Sequence, residues 1–125
     1  MKLDCLLNAE QGKTIIRVYD FTTVEASRLT IAIQKLACER ETQVDVHAMN
    51  GVTAIGGCEL TLRLKRHDQS TVEIGPSKFD CGFTAGTWDN MAGLMEPFTR
   101  GAAGFQWLAG SPGEAPLLLS VTGEW

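Results

Sequence analysis

The sequence predicts an α+β fold, a mainly antiparallel β-sheet of about seven to eight strands packed with two α-helices in the order ββα-ββββ-α-ββ. Three observations carry that expectation. Several short runs alternate apolar and polar residues with a period of two, the signature of half-buried strands. A capping-box pair, Thr22 and Glu25, stands before a stripe of apolar residues at helical spacing. Residues 78–109 hold two of the three Trp and most of the Phe residues, so most of the core is specified there. At 125 residues the chain fits one domain, 1–125, with 44% hydrophobic and 21% charged residues, an ordinary globular composition.

In order, Lys2–Asn8 alternates Leu3, Cys5 and Leu7 against Lys2, Asp4 and Asn8, with Leu6 as the one breach. Glu10, Gln11 and Gly12 supply a turn into residues 13–21 (KTIIRVYDF), whose β-branched and aromatic content predicts an antiparallel hairpin with the first strand. After the capping box, Leu29, Ala32, Ile33, Leu36 and Ala37 form the buried stripe of the first helix. From residue 42 the period returns to two: Val44, Val46 and Ala48 face in and His47 lies on the wetter side. Asn50-Gly51 then predicts a tight hairpin turn into a short strand ending at Gly56-Gly57.

Cys58, Leu60, Leu62 and Leu64 alternate against Glu59, Thr61, Arg63 and Lys65, the clearest strand of the chain. A polar link over 66–70 leads to a strand with Val72 and Ile74 expected inward, closed by Pro76. Within 78–109, Phe79, Cys81 and Phe83 alternate on one face, and Thr87 offers a helix cap. Trp88, Met91, Met95 and Phe98 then recur at helical spacing. Pro97 predicts a kink or end near Glu96, and mid-helix Gly93 predicts close approach to a neighbouring strand. Phe105 and Trp107 alternate again, Ser111-Pro112-Gly113 turns the chain, and the last strand is expected at the sheet edge with Trp125 beside it.

A net charge of −4 and a pI near 5.1 argue against a nucleic-acid surface, which shows as clustered Lys and Arg. No run approaches the roughly 18 apolar residues of a membrane span, and the start of the chain lacks the apolar core of a signal peptide, so cytoplasmic residence is expected. The four cysteines, Cys5, Cys38, Cys58 and Cys81, are widely spaced without CxxC. They are expected to be free, buried thiols, with no cofactor and no metal.

Catalytic signals are weak. His47 and His67 lack a second metal ligand at helical or strand spacing, and His67-Asp68 reads as loop chemistry. The glycines of 50–57 lack the GK[ST] ending and the strand-loop-helix setting of a phosphate cradle. Arg63, Lys65 and Arg66 form a basic strip near Glu59 and opposite Glu73 of the next strand, explained by cross-strand charge pairing. Asp89 and Glu96 suit a solvated helix face.

One surplus remains. Trp88, Met91, Leu94, Met95 and Phe98 make a wide apolar face containing Met, and Trp107 and Trp125 add large amphipathic rings. Trp and Met serve cores and adaptable protein-binding surfaces alike. Trp88, Met91, Met95, Trp107 and Trp125 are therefore the candidate binding residues. The function expected is a non-enzymatic protein-binding or self-associating domain, of the inhibitor or immunity-like kind, meeting a protein partner or its own copy. The alternative is a small-molecule binder or enzyme with a pocket between the sheet and the second helix, lined by Cys81, Trp88, Met91 and Trp107.

Overall fold

The computed structural model describes residues 1–8, 13–69, 71–109 and 115–125. Among these residues nine strands and two α-helices follow in the order β1 (Lys2–Asn8), β2 (Lys13–Tyr19), α1 (Thr23–Ala37), β3 (Gln43–Asp45), β4 (Thr53–Ala54), β5 (Glu59–Leu64), β6 (Val72–Gly75), β7 (Lys78–Phe83), α2 (Ala85–Thr99), β8 (Phe105–Ala109) and β9 (Leu117–Ser120). The α+β class is as expected, but the sheet is not one and not mainly antiparallel. Sheet A has the order β4-β1-β2-β9-β8 and sheet B the order β3-β5-β7-β6. Both are mixed: β2 runs parallel to β9, β1 to β4, and β5 to β7.

The cause lies in the connections. α1 carries the chain from β2 in sheet A to β3 in sheet B, and α2 carries it back from β7 to β8. Long crossovers permit parallel neighbours, whereas two-residue turns enforce antiparallel ones. Asn50-Gly51 does make a β-turn, with Gly51 at φ 85° and Val52 N–H donating to the Met49 carbonyl at 3.1 Å. It is not a hairpin. It switches the chain from sheet B into β4 of sheet A.

α1 begins as the sequence predicts: Thr22 Oγ1 accepts from Glu25 N–H at 3.2 Å while Glu25 Oε1 accepts from Thr22 N–H at 3.0 Å. α2 is capped by Thr84 and not by Thr87, because Thr84 is the extended residue whose Oγ1 accepts from Thr87 N–H at 3.3 Å. Asp68 reinforces that start, its carboxylate accepting from Thr84 N–H and from Thr87 Oγ1, both at 2.9 Å. These bonds hold the Asp68 carboxyl below its ordinary range, the Thr84 amide contributing most. Pro97 sits in the last turn of α2, two residues before the helix ends at Thr99. Gly93 faces solvent with no atom within 4 Å of a built Cβ, contrary to the expected close approach.

One buried cluster joins both sheets to both helices: Leu3, Ile16, Val18, Leu117 and Leu119 from sheet A, Leu60, Leu62, Phe79 and Cys81 from sheet B, Leu29, Ile33 and Leu36 from α1, and Trp88, Met91, Met95 and Phe98 from α2. Three strand readings change. The alternation of 42–48 breaks after Asp45, where the chain turns into a 3-10 helix, Val46–Ala48. Val72 and Ile74 are 48% and 60% exposed, because the register Val72↔Asp80 sets edge strand β6 with its aliphatic side chains on the polar outer face. The final strand β9 is interior, between β2 and β8, and all four of its residues are buried. The turn residues Glu10 to Gly12 and Ser111 to Gly113 lie outside the described residues, as does Ser70 of the polar link.

Candidate functional site: the uncovered face of sheet A

Sheet A presents one face to the helices, and the opposite face carries a separate group of side chains. The register aligns them in rows across four strands: Lys2, Tyr19, Ser120 and Phe105 in one, and Asp4, Arg17, Leu118 and Trp107 in the next. Leu6 and Ile15 begin a third. Ile15 and Leu118 are buried here although they stand outside the central cluster, so this face has a small apolar floor of its own.

Arg17 organises the face. Its Nε and Nη2 donate to the two oxygens of Asp4 at 2.8 and 2.7 Å, a bidentate pair set by the direct antiparallel register Asp4↔Arg17. Its guanidinium lies 4.0 Å over the Tyr19 ring and its Nη1 donates to the Gly123 carbonyl at 2.8 Å. The hydrogen bond to Asp4 holds the Arg17 pKa above its already high ordinary value. Gly123 is required twice: its φ is 89°, and a Cβ there would lie 2.9 Å from Arg17 Nη1 and 3.0 Å from Tyr19 Cδ2.

The residues after β9 are thereby folded back over the sheet. Ser120 Oγ accepts from Gly123 N–H at 2.9 Å and donates to the Glu124 carbonyl at 2.7 Å. Trp125 then meets Trp107 edge-to-face, ring centroids 6.5 Å apart at 74°, with the Arg17 guanidinium 6.0 Å from the Trp125 ring. Phe105, Trp107 and Trp125 remain 47%, 36% and 49% exposed, and Leu6 is also exposed.

Of the five candidate residues, the structure brings Trp107 and Trp125 together and separates them from the other three. Trp88, Met91 and Met95 are buried. Trp88 packs edge-to-face on Phe83 at 5.2 Å and its Nε1–H donates to the Arg63 carbonyl at 3.0 Å. Cys81 is buried and accepts from Thr71 Oγ1 at 3.2 Å. These side chains belong to the core, and Trp107 points to the opposite side of sheet A, so the four proposed pocket residues do not converge. Asp4, Arg17, Tyr19, Phe105 and Gly123 were not singled out by sequence. The available signal was a lone Arg inside an apolar strand, opposite a lone Asp in its hairpin partner.

The outer face of sheet B is different in kind. Arg63 donates to Asp80 at 3.2 Å and to Gln43 at 2.8 Å, and Lys78 pairs with Glu59 at 3.3 Å. The partners differ from the expected Glu73 because β7, not β6, neighbours β5. His47 Nδ1 lies 3.1 Å from the Leu60 amide and 3.2 Å from the Leu60 carbonyl, filling the place on β5 that β3 leaves when it turns away, and its Nε2 faces Glu59 at 3.6 Å.

Cys58 is buried and its thiol is pushed up to about 12, by burial first and by neighbouring Cys5 second, so it is a poor nucleophile. The expectation that all four thiols are buried fails at Cys38, which is exposed just past α1, and at half-buried Cys5. Among the described residues no three His, Cys, Asp or Glu side chains are grouped to hold a metal ion, and no helix is long and apolar enough to cross a membrane.

Comparison of the chain with protein-family models, with curated proteins and with solved structures found no match.

Proposed function

We propose that this chain is a single-domain, non-enzymatic, cytoplasmic protein-binding or self-associating protein that works through the uncovered face of sheet A. The observation that carries this reading is the gathering of exposed Phe105, Trp107 and Trp125 on one rigid sheet face, anchored by Arg17. Aromatic side chains backed by a fixed scaffold lose little entropy on docking and are enriched at binding hot spots. The raised Cys58 thiol supports a non-catalytic role, and the net charge of −4 supports a partner other than nucleic acid.

The test is affinity capture from the native lysate with wild type and with Trp107→Ser. The reading expects captured protein that the substitution removes, while Val72→Ser on sheet B leaves capture unchanged. Capture indifferent to Trp107 but lost with Val72→Ser would move the site to the other sheet.

A further inference from the structure

We infer that the partner that covers this face is a second copy of this chain, an inference that rests on the protein-binding reading above. Charge selects the partner. The basic side chains described on the face are already matched, Lys2 to Asp20 at 3.0 Å and Arg17 to Asp4 at 2.7 Å. An anionic partner therefore finds no free cation here. A basic partner finds its counter-charges elsewhere, at exposed Glu39, Glu41, Glu73 and Asp89 on other surfaces. On this face Glu124 alone, at the rim, has a side-chain carboxylate without an ion pair among the described residues.

What fits a neutral aromatic surface is another neutral aromatic surface, and the chain itself supplies one. Two copies each carrying −4 repel through most orientations. That repulsion is least where the facing charges are internally matched, and a two-fold axis makes one patch serve both sides.

The contact is face to face rather than a continuation of the sheet. β8 is one of the two edges of sheet A, and it is blunted: a register shift between Trp107 and Ala109 interrupts its pairing, and Gln106 Nε2 donates to the Trp107 carbonyl at 2.9 Å; the other edge carries the two-residue β4 on β1. Four full strands at about 4.8 Å spacing and about 20 Å length give a face of roughly 400 Å². That is about half the area each partner brings to a standard stable interface, so the dimer is expected to be weak and to show only at high protein concentration.

Sedimentation over a concentration series up to about 1 mM tests this, with circular dichroism confirming the fold of each variant. Wild type should shift from 13.6 kDa toward twice that mass, and Trp107→Ser should weaken association at least tenfold. If Trp107→Ser unfolds, Phe105→Ser and Trp125→Ser, at the more exposed positions, replace it with the same expectation. A wild type that stays monomeric overturns self-association. In that case lysate capture that depends on Trp107 leaves the binding face standing, and capture that ignores Trp107 removes both. A dimer equally strong in wild type and in all folded variants also overturns the proposal, since it places the contact elsewhere.

Discussion

At the residue scale, Arg17 and Asp4 connect the fold to the face. Both are largely withdrawn from solvent, so removing one partner leaves the other buried and unmatched. Arg17→Ala should cost about 3 kcal/mol in denaturant melts. Because the interaction is bidentate, the double variant with Asp4→Ala should cost less than the sum of the two singles. Additive losses would show that the ion pair contributes nothing of its own. Gly123→Ala should cost about 1 kcal/mol or more, and should also raise quenching of Trp125, since the tail cannot keep its left-handed turn against Tyr19. Asp68 gives a pH signature. Its folded pKa is depressed, so the stabilisation is present above the ordinary Asp range and is lost as pH falls through the folded value. Wild type and Asp68→Asn should therefore differ in stability at neutral pH and converge in acid; a difference that persists at pH about 2 would contradict that cause.

At the scale of elements, the sequence reads well wherever one face decides the pattern. α1 with its capping box and β5 with Leu60 and Leu62 against Thr61 and Arg63 are where the periodicity puts them. β6 is the exception: Val72 and Ile74 carry the same alternation as a core strand, and only the pairing with β7 shows that they face outward. Val72→Ser should cost less than about 0.5 kcal/mol, against about 2–5 kcal/mol for Leu62→Ala, which empties a fully buried site. Equal losses would mean that β6 is paired in the other register. β9 was placed at an edge for a related reason. Local alternation says nothing about which strand lies beside it, and its parallel pairing with β2 brings together residues about a hundred positions apart.

For the molecule as a whole, two sheets sharing one helix pair leave two outer faces, and their contents differ. Sheet B is faced with paired charges around Arg63, Asp80 and Glu59, with exposed Val72 and Ile74 confined to its edge strand β6. Sheet A is faced with aromatic rings held by Arg17 and the turn at Gly123. Sequence reasoning reached Trp107 and Trp125 through composition and grouped them with Trp88, Met91 and Met95. The terminal position marks Trp125 as the exposed ring, but the division of the other four between core and surface depends on the crossover through α2, which local pattern does not show. Hydrogen exchange at low and high protein concentration reads the outer faces directly, residue by residue. Added protection at high concentration should fall on β8 and on residues 121–125, with β5, β6 and β7 unchanged. Protection confined to β6 and β7 would contradict the assignment of the binding surface to sheet A.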